Sequence, residues 1–372
     1  MKTISHIISS SVVLLIISLF TMQSAWGNTI HVPADYPQIQ LALYAASSGD
    51  TISVAPGTYD VFMWSGITLQ DLRVLGAGGW GENVSRIRGN VTENGIYLDD
   101  AWGWEIAGFE ITNCTSGIAP EHCHNLNIHH NYIHDNPYSH AYGLHIEFCD
   151  SIHFHHNIVA NNHYVAVRIH YGNSNVTCEH NTIVYTEAYH GFLIMGYVPG
   201  LRITNNIIAF NPDDGIQYSG GTQGDAVITY NDFDGNGTNY HNCTPGVGSI
   251  SVDPNLITVA GVPYNLDHNS PCIDAGDPQY LPDPDGTRCD IGALYYDLSL
   301  QAVSDLNITI ADEEVILNWG VIPRAVRYNI YRNSSPYFTT YLIAPISVTT
   351  DTVFTDSNVL PNGHLFYRIT WE

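Results

Sequence analysis

The chain has 372 residues, 44% of them hydrophobic and only 13% charged, which is enough apolar material for a large core. Its formal charge is -25, and Lys2 is the sole lysine beside ten arginines: Arg73, Arg86, Arg88, Arg168, Arg202, Arg288, Arg324, Arg327, Arg332 and Arg368. Such a surface excludes nucleic acid and anionic lipid as general partners, and an anionic polymer would need a local arginine or a bridging divalent cation.

The N-terminus reads as a secretory signal. Lys2 supplies the positive region, 12–20 an apolar stretch, and Ala25-Trp26-Gly27 small residues at both cleavage-determining positions, so the cut is placed after Gly27. The apolar run is shorter than the ~20 residues that span a bilayer. The mature chain is therefore expected to be exported, without membrane insertion, and monomeric.

Asn28-Thr-Ile-His-Val-Pro33 reads as a strand. Residues 35–46 make the one convincing helix: Asp35 to cap it, Pro37 in its first turn, and Ile39, Ala42, Leu43 and Ala46 as one apolar stripe. A solenoid must cover its open end, and this helix is placed to do so. Strands are predicted at 51–54, 67–69, 72–75 and 86–88.

From Asn94 to Asn231 the sequence repeats. Hydrophobic starts led by Gly or Ala fall at Gly95, Gly117, Gly143, Ala166, Gly191 and Gly215, spaced 22, 26, 23, 25 and 24 residues apart. Asn131, Asn157, Asn181, Asn206 and Asn231 each follow an alternating apolar run, with Gly108 in the same place one coil earlier. A period in the twenties with strand alternation signals a β-solenoid, whose single repeats cannot bury their own faces. His130, His156 and His180 precede the asparagines and read as a structural stack at a coil corner, since asparagine ladders are structural. Residues 249–254 read as a last, irregular coil.

From residue 298 the Gly/Asn/His texture stops. Segments 315–319, 327–332, 353–356 and 365–370 alternate as sandwich strands. The expected division is signal peptide 1–27, solenoid 28–297 and small β-sandwich 298–372. Seven cysteines in an exported protein permit disulfides. Cys123 and Cys149 should stack on neighbouring coils, Cys178 should be a buried thiol, and Cys272–Cys289 is the favoured bridge.

Residues 38–59, running from Gln38-Ile-Gln-Leu-Ala-Leu to Val-Ala-Pro-Gly-Thr-Tyr59, resemble the opening of right-handed parallel β-helix proteins of the pectin-lyase-like superfamily. The downstream coils resemble its repeat. Ser270-Pro-Cys-Ile-Asp-Ala-Gly-Asp-Pro278 with Asp285-Gly-Thr-Arg-Cys-Asp-Ile-Gly-Ala293 resembles the closing segment of exported bacterial β-helix proteins. The C-terminal strands resemble a fibronectin type III domain with Trp319 as its core tryptophan, possessing one strand fewer than is usual. These resemblances imply an all-β right-handed parallel β-helix followed by a small sandwich, with long polymers bound along one sheet. They do not carry a particular activity. The Asp-Phe-Ile-Phe-Gly of pectin methylesterases and the Trp-Ile-Asp-His of pectate lyases are absent; Asn211-Pro-Asp-Asp-Gly-Ile216 resembles the polygalacturonase Asn-Thr-Asp-Gly-Ile, but the partner motifs are missing.

Aligning the coils on their glycines makes columns. Two residues on lie Tyr97, Ala119, His145, Arg168, Leu193 and Gln217; four on lie Asp99, Glu121, Glu147, His170, Met195 and Ser219. Alternation puts both columns on one outward face, with neighbouring coils ~4.8 Å apart. The preceding turns add His140, Tyr142, His163, Tyr164, Tyr189 and His190, and fourteen of the nineteen histidines lie between His122 and His190. The predicted catalytic set is His145, Arg168, Glu147, Glu121 and His170, with the six turn residues binding a polysaccharide. Two chemistries suit it. Glu121 and Glu147 can serve hydrolysis as acid and nucleophile or base. Alternatively Asp99, Glu121 and Glu147 can hold Ca²⁺ against a uronate carboxylate while His145, Arg168 or Tyr142 takes a proton, giving β-elimination. A non-catalytic glycan-binding or cell-surface scaffold is the rival class, and a His-rich metal carrier is disfavoured because the histidines spread over several corners.

Overall fold

The computed structural model describes residues 27–297, 303, 305–311, 314–322, 325–334, 344–357 and 365–371; the predicted signal peptide lies outside the described residues apart from Gly27. Residues 29–241 form a right-handed parallel β-helix. Three parallel sheets of nine, eight and seven strands run its length. One coil shows the plan: Tyr142–Ile146 in the eight-stranded sheet, Asp150–His155 in the nine-stranded sheet, Ile158–Ala160 in the seven-stranded sheet, then Val165–Ile169 back in the first.

Alternation decides what faces inward. Ile96, Leu98, Ile118, Leu144, Ile146, Val167, Ile169, Phe192, Ile194 and Ile216 are all fully buried. They stack coil on coil, and every buried CH₂ contributes about 0.8 kcal/mol toward folding. Cys178 lies among them, paired in register with Phe154 and Ile203, a buried thiol as its spacing indicated.

The corner between the nine- and seven-stranded sheets is turned by one residue per coil in the left-handed region: Gly108, His130, His156, His180, Asn205 and Tyr230, with φ between 48° and 77°. Histidine and asparagine tolerate this region better than most side chains. The next residue is the ladder asparagine. Gly108 thus aligns with His130, and Phe109 holds the ladder position, donating its amide N–H to Asn131 Oδ1 at 3.1 Å. That shifts the sequence alignment of Gly108 by one residue.

Helix Ile39–Ala45 buries Ile39, Ala42 and Leu43 and packs on strands Thr29–Val32, Thr51–Val54 and Phe62–Ser65 of the first coil. It covers the solenoid's end as expected, but starts later than predicted. Asp35 does not cap it; its carboxylate accepts the His31 N–H at 2.7 Å and closes a turn. The predicted strand at 67–69 is a turn instead, with Ile67 exposed and the outer strand at Phe62–Ser65. All seven cysteines are free thiols. In place of the favoured bridge, the Cys272 thiol donates to Asp232 Oδ2 at 3.2 Å and Cys289 lies 3.5 Å from the Asp277 carbonyl.

After the coils, Leu256–Val259 and Val262–Leu266 make a hairpin. Further on, two three-stranded antiparallel sheets appear: Asn307–Ala311, Glu314–Asn318 and Val353–Ser357, and Ser347–Thr349, Tyr328–Asn333 and Phe366–Trp371. Leu317, Trp319, Tyr328, Ile330 and Ile369 form their shared core, as a β-sandwich requires. Arg332 clamps Asp356 across it with two bonds of 2.9 and 2.7 Å.

Candidate functional site

The two predicted columns exist. Register pairs Tyr97 with Ala119, His145 with Arg168, and Arg168 with Leu193 and then Gln217. The second column pairs Asp99 with Glu121, Glu121 with Glu147, and Met195 with Ser219. Both lie on the outer face of the eight-stranded sheet, opposite the buried isoleucines.

Arg168 is the centre. Its Nη1 lies 3.1 Å from His145 Nε2 and donates to the Tyr142 hydroxyl at 3.2 Å, and its Nη2 lies 3.2 Å from Met195 Sδ. The guanidinium also stands 5.1 Å from the Tyr142 ring centroid, within cation–π range. Among the described residues no carboxylate comes within 4.0 Å of it, whereas Arg73, Arg86 and Arg332 each have one. Its Nε is buried with no hydrogen-bond partner. A half-buried cation without a counter-charge is costly, and its natural complement is an anion from outside.

His145 Nε2 is contested. Arg168 Nη1 approaches it at 3.1 Å and Glu147 Oε1 at 2.9 Å. One nitrogen cannot accept from the first and donate to the second at once. Burial, with Arg168 adding to it, pulls His145 down to about 4, while Glu147 opposes the shift. The ring is therefore neutral at pH 7, in contact with a cation and an anion. His170 sits further along the column, 3.8 Å from the same Glu147 oxygen, and its Nδ1 has no hydrogen-bond partner. Unlike the outward-pointing residue predicted, it is buried, and burial with Arg168 lowers its pKa. Burial raises the Tyr142 phenol, so Tyr142 keeps its proton at neutral pH.

The three acidic residues share a column but not a centre. Asp99 accepts from the Ser65 hydroxyl at 2.9 Å and contacts His122 at 3.1 Å; Glu121 accepts the Tyr97 hydroxyl at 2.9 Å; Glu147 is held by His145. His122 also lies 3.9 Å from Glu121, while Glu147 has its own histidine neighbour.

Aromatic rows flank the columns. On the strand-entry side, Tyr142 and Tyr164 lie 5.6 Å apart, Tyr164 and Tyr189 4.5 Å, and His140 stands 5.3 Å from Tyr164. His163 is paired with Glu187 at 2.7 Å. His190, predicted to contact substrate, is instead buried against Asp213 and Asp214. On the strand-exit side, His122 stacks on Phe148 at 5.3 Å and Phe148 meets Tyr171 edge-on at 6.0 Å. Phe148 and Tyr171 are exposed and went unnoticed in the sequence. They fall five residues after their coil starts, a column that the same alignment contains. The face is thus a polar floor with aromatic borders. Toward the capped end it adjoins a concavity of about 480 Å³ lined by Gln40, Phe62, Met63, Thr92, Tyr97 and Thr115.

Fold and site define a parallel β-helix with an ionisable groove on one sheet. Residues 81–252 match the family described as NosD, periplasmic copper-binding protein, over 172 of the 372 residues. No curated protein matches the chain. Among solved structures, it is similar to the crystal structure of pectate lyase Pel9A, at 15% identity over 69% of this chain and 90% of that one, with a TM-score of 0.45. It is also similar to the Dettilon tailspike protein, at 14% identity over 88% of this chain and 68% of that one, with a TM-score of 0.31.

Proposed function

We propose that the outer face of the eight-stranded sheet binds an acidic polysaccharide across the coils and cleaves it by β-elimination. One observation carries this reading: Arg168 has no carboxylate partner and lies against a neutral His145. A uronate carboxylate on Arg168 satisfies the guanidinium and draws it away from Nε2. It also acidifies the hydrogen on the adjacent sugar carbon. His145 Nε2 takes that proton, the C–H electron pair becomes the new carbon–carbon double bond, and the glycosidic C–O bond on the next carbon breaks. Tyr142, protonated and 3.2 Å from Arg168, supplies a proton to the leaving oxygen. Glu147 stabilises the imidazolium that forms. Asp99 and Glu121 line the floor, and the tyrosine rows hold the sugar faces.

The charge pattern favours elimination over hydrolysis, since Glu121 is already bound by Tyr97 and Glu147 by His145. Among the described residues the groove's carboxylates are engaged by protein side chains, and the one cluster of three metal donors lies outside them. We place the protein outside the cytoplasm, as a chain of 28–297 solenoid and 298–372 sandwich acting as spacer or attachment. The signal-like segment 1–27 and a matched family described as periplasmic support that location. No helix among the described residues is long and apolar enough to cross a membrane.

The test is incubation of the mature protein with a panel of uronate-containing and neutral polysaccharides. Release of the ultraviolet-absorbing unsaturated uronate is expected from an acidic member. New reducing ends without that absorbance would move the chemistry to Glu121 and Glu147 as a hydrolase pair. Retained binding with no product across the panel would replace the enzyme with a glycan-binding scaffold.

A further inference from the structure

At the entry edge of the same sheet, beyond Tyr142 and Arg168, three donors converge. His190 Nδ1, Asp213 and Asp214 each place one ligand atom within 4.8 Å of the others, the single such group of three among the described residues. His190 directly precedes its coil's Gly191, and Asp214 directly precedes Gly215 on the next coil. Parallel register stacks the two. Asp213 comes from the turn before.

Metal-free, one ring nitrogen meets three partners at once. His190 Nδ1 lies 3.3 Å from Asp214 Oδ2 and 3.6 Å from Asp213 Oδ2, and it also accepts the Asp214 backbone N–H at 3.3 Å. A proton on Nδ1 would face that amide hydrogen. Without a proton, its lone pair faces two carboxylate oxygens. The His190 and Asp214 side chains are 9% and 4% exposed, and Asp213 opens the cluster to solvent. Two carboxylates that converge on one buried ring nitrogen are favourable when a cation lies among them.

We infer that His190 Nδ1, Asp213 and Asp214 bind a divalent transition-metal ion. Around a tetrahedral ion with bonds of ~2.0–2.2 Å, neighbouring donors stand about 3.3–3.6 Å apart, which is the spacing of His190 Nδ1 from each of the two carboxylates. Imidazole with two carboxylates is a borderline donor set, suited to Zn²⁺, Cu²⁺, Ni²⁺ or Co²⁺ more than to Ca²⁺, which wants six or more oxygens. His241 Nδ1, 3.1 Å from the same Asp214 oxygen, is the positioning residue that fixes the carboxylate. Three protein donors are one fewer than a closed tetrahedral site has, so an exogenous ligand could complete the set. The inference stands on these donors and is independent of the glycan reading.

The test is titration of the metal-free mature protein with Cu²⁺, Zn²⁺ and Ca²⁺ against a chromogenic chelator, with metal content counted after dialysis. One equivalent of Zn²⁺ or Cu²⁺ should be retained. Asp213→Asn, whose side chain is half exposed and free to change without unfolding the coil, should weaken it about 100-fold or more, and His190→Gln likewise. His241→Gln should weaken it about 10- to 100-fold. The Cu²⁺ form should show one-imidazole nitrogen coupling in its electron paramagnetic resonance spectrum, absent in His190→Gln. His122→Gln, an exposed histidine elsewhere, and Arg168→Gln should bind as wild type, so failure here is separable from failure of the groove. Unchanged affinity in both Asp213→Asn and His190→Gln, or a preference for Ca²⁺, would overturn the inference.

Discussion

Two rows of stacked polar side chains run along this solenoid, and they differ in whether they close. At the corner between the nine- and seven-stranded sheets, Asn131, Asn157, Asn181, Asn206 and Asn231 are fully buried. Each side-chain oxygen accepts an amide N–H from the preceding coil: Asn131 N to Asn157 Oδ1 at 3.0 Å, Asn157 N to Asn181 Oδ1 at 2.9 Å, Asn181 N to Asn206 Oδ1 at 2.9 Å. Each of the five turns its NH₂ to a main-chain carbonyl one coil back, as Asn181 Nδ2 does to Phe154 at 2.9 Å. Nothing is left for a ligand. On the outer face of the eight-stranded sheet the arithmetic differs: Arg168 Nε and His170 Nδ1 are buried without partners, and His145 Nε2 has two incompatible ones. A polar ladder that satisfies itself is architecture. One that leaves donors unsatisfied is shaped around something it does not contain.

The sharpest break in this comparison is Asn181→Ala. It removes every hydrogen bond of that side chain and strands the Phe154 carbonyl and the Asn157 amide in a dry core. At ~1–3 kcal/mol for each buried group left unsatisfied, the loss should be about 3–4 kcal/mol. Urea unfolding would measure it, and a loss below about 1 kcal/mol would remove the ladder's structural role. Glycan turnover by the folded fraction should be unchanged.

Arg168→Gln should do the reverse. Without its cation the groove should lose about 100-fold or more in kcat/KM on the acidic polymer, ~2.7 kcal/mol of transition-state stabilisation. Its stability should hold within about 1 kcal/mol or rise, because an unpaired, half-buried charge has gone. Equal losses of stability and turnover would put Arg168 among the architectural residues.

The contrast also explains what could be read before folding. Period and alternation alone place both columns, since the side-chain period of two and the coil spacing translate directly into neighbours; Glu121 beside Glu147 and His145 beside Arg168 follow from counting. Which of those neighbours close their hydrogen bonds depends on rotamers and depth, so the burial of His170 and the pairing of Glu121 with Tyr97 were out of reach. A second ladder escaped for another reason. Cys114, Asn136, Asn162, Thr186, Asn211 and Asn236 occupy the next corner, where Cys114 N donates to Asn136 Oδ1 at 2.7 Å and Thr186 N to Asn211 Oδ1 at 3.2 Å. Cysteine and threonine interrupt its asparagines, so no run of one letter marks it. The proposed metal ligands are hidden likewise: His190 stands in sequence among turn residues, and Asp213-Asp214 lie one coil on, within a segment that resembles another motif.

The corner carries a smaller, pH-dependent signature. His130, His156 and His180 stack face to face along it, with ring centroids 5.2 and 5.1 Å apart. Burial, with the neighbouring rings adding to it, pulls His156 down to about 3 and His155 to about 2. Unfolded, both would titrate near 6.5. The unfolded chain therefore binds more protons below that value, and their stabilisation is complete above about pH 6.5 and declines as pH falls toward 3. Each histidine contributes a slope of at most about 1.4 kcal/mol per pH unit. Buried carboxyls act in the opposite sense: Asp290 is pushed up to about 8 and Asp283 and Asp232 to about 6, so their protonated forms favour the folded state and this contribution is lost as pH rises through those values. The wild-type curve sums both, but the difference between wild type and His156→Gln isolates one histidine. Urea midpoints at pH 7.5, 6 and 5 (on either side of the ~6.5 of a free histidine) should show the wild type losing more stability on acidification than His156→Gln. Parallel curves would mean that His156 titrates normally in the folded chain, and that the stack is open to water.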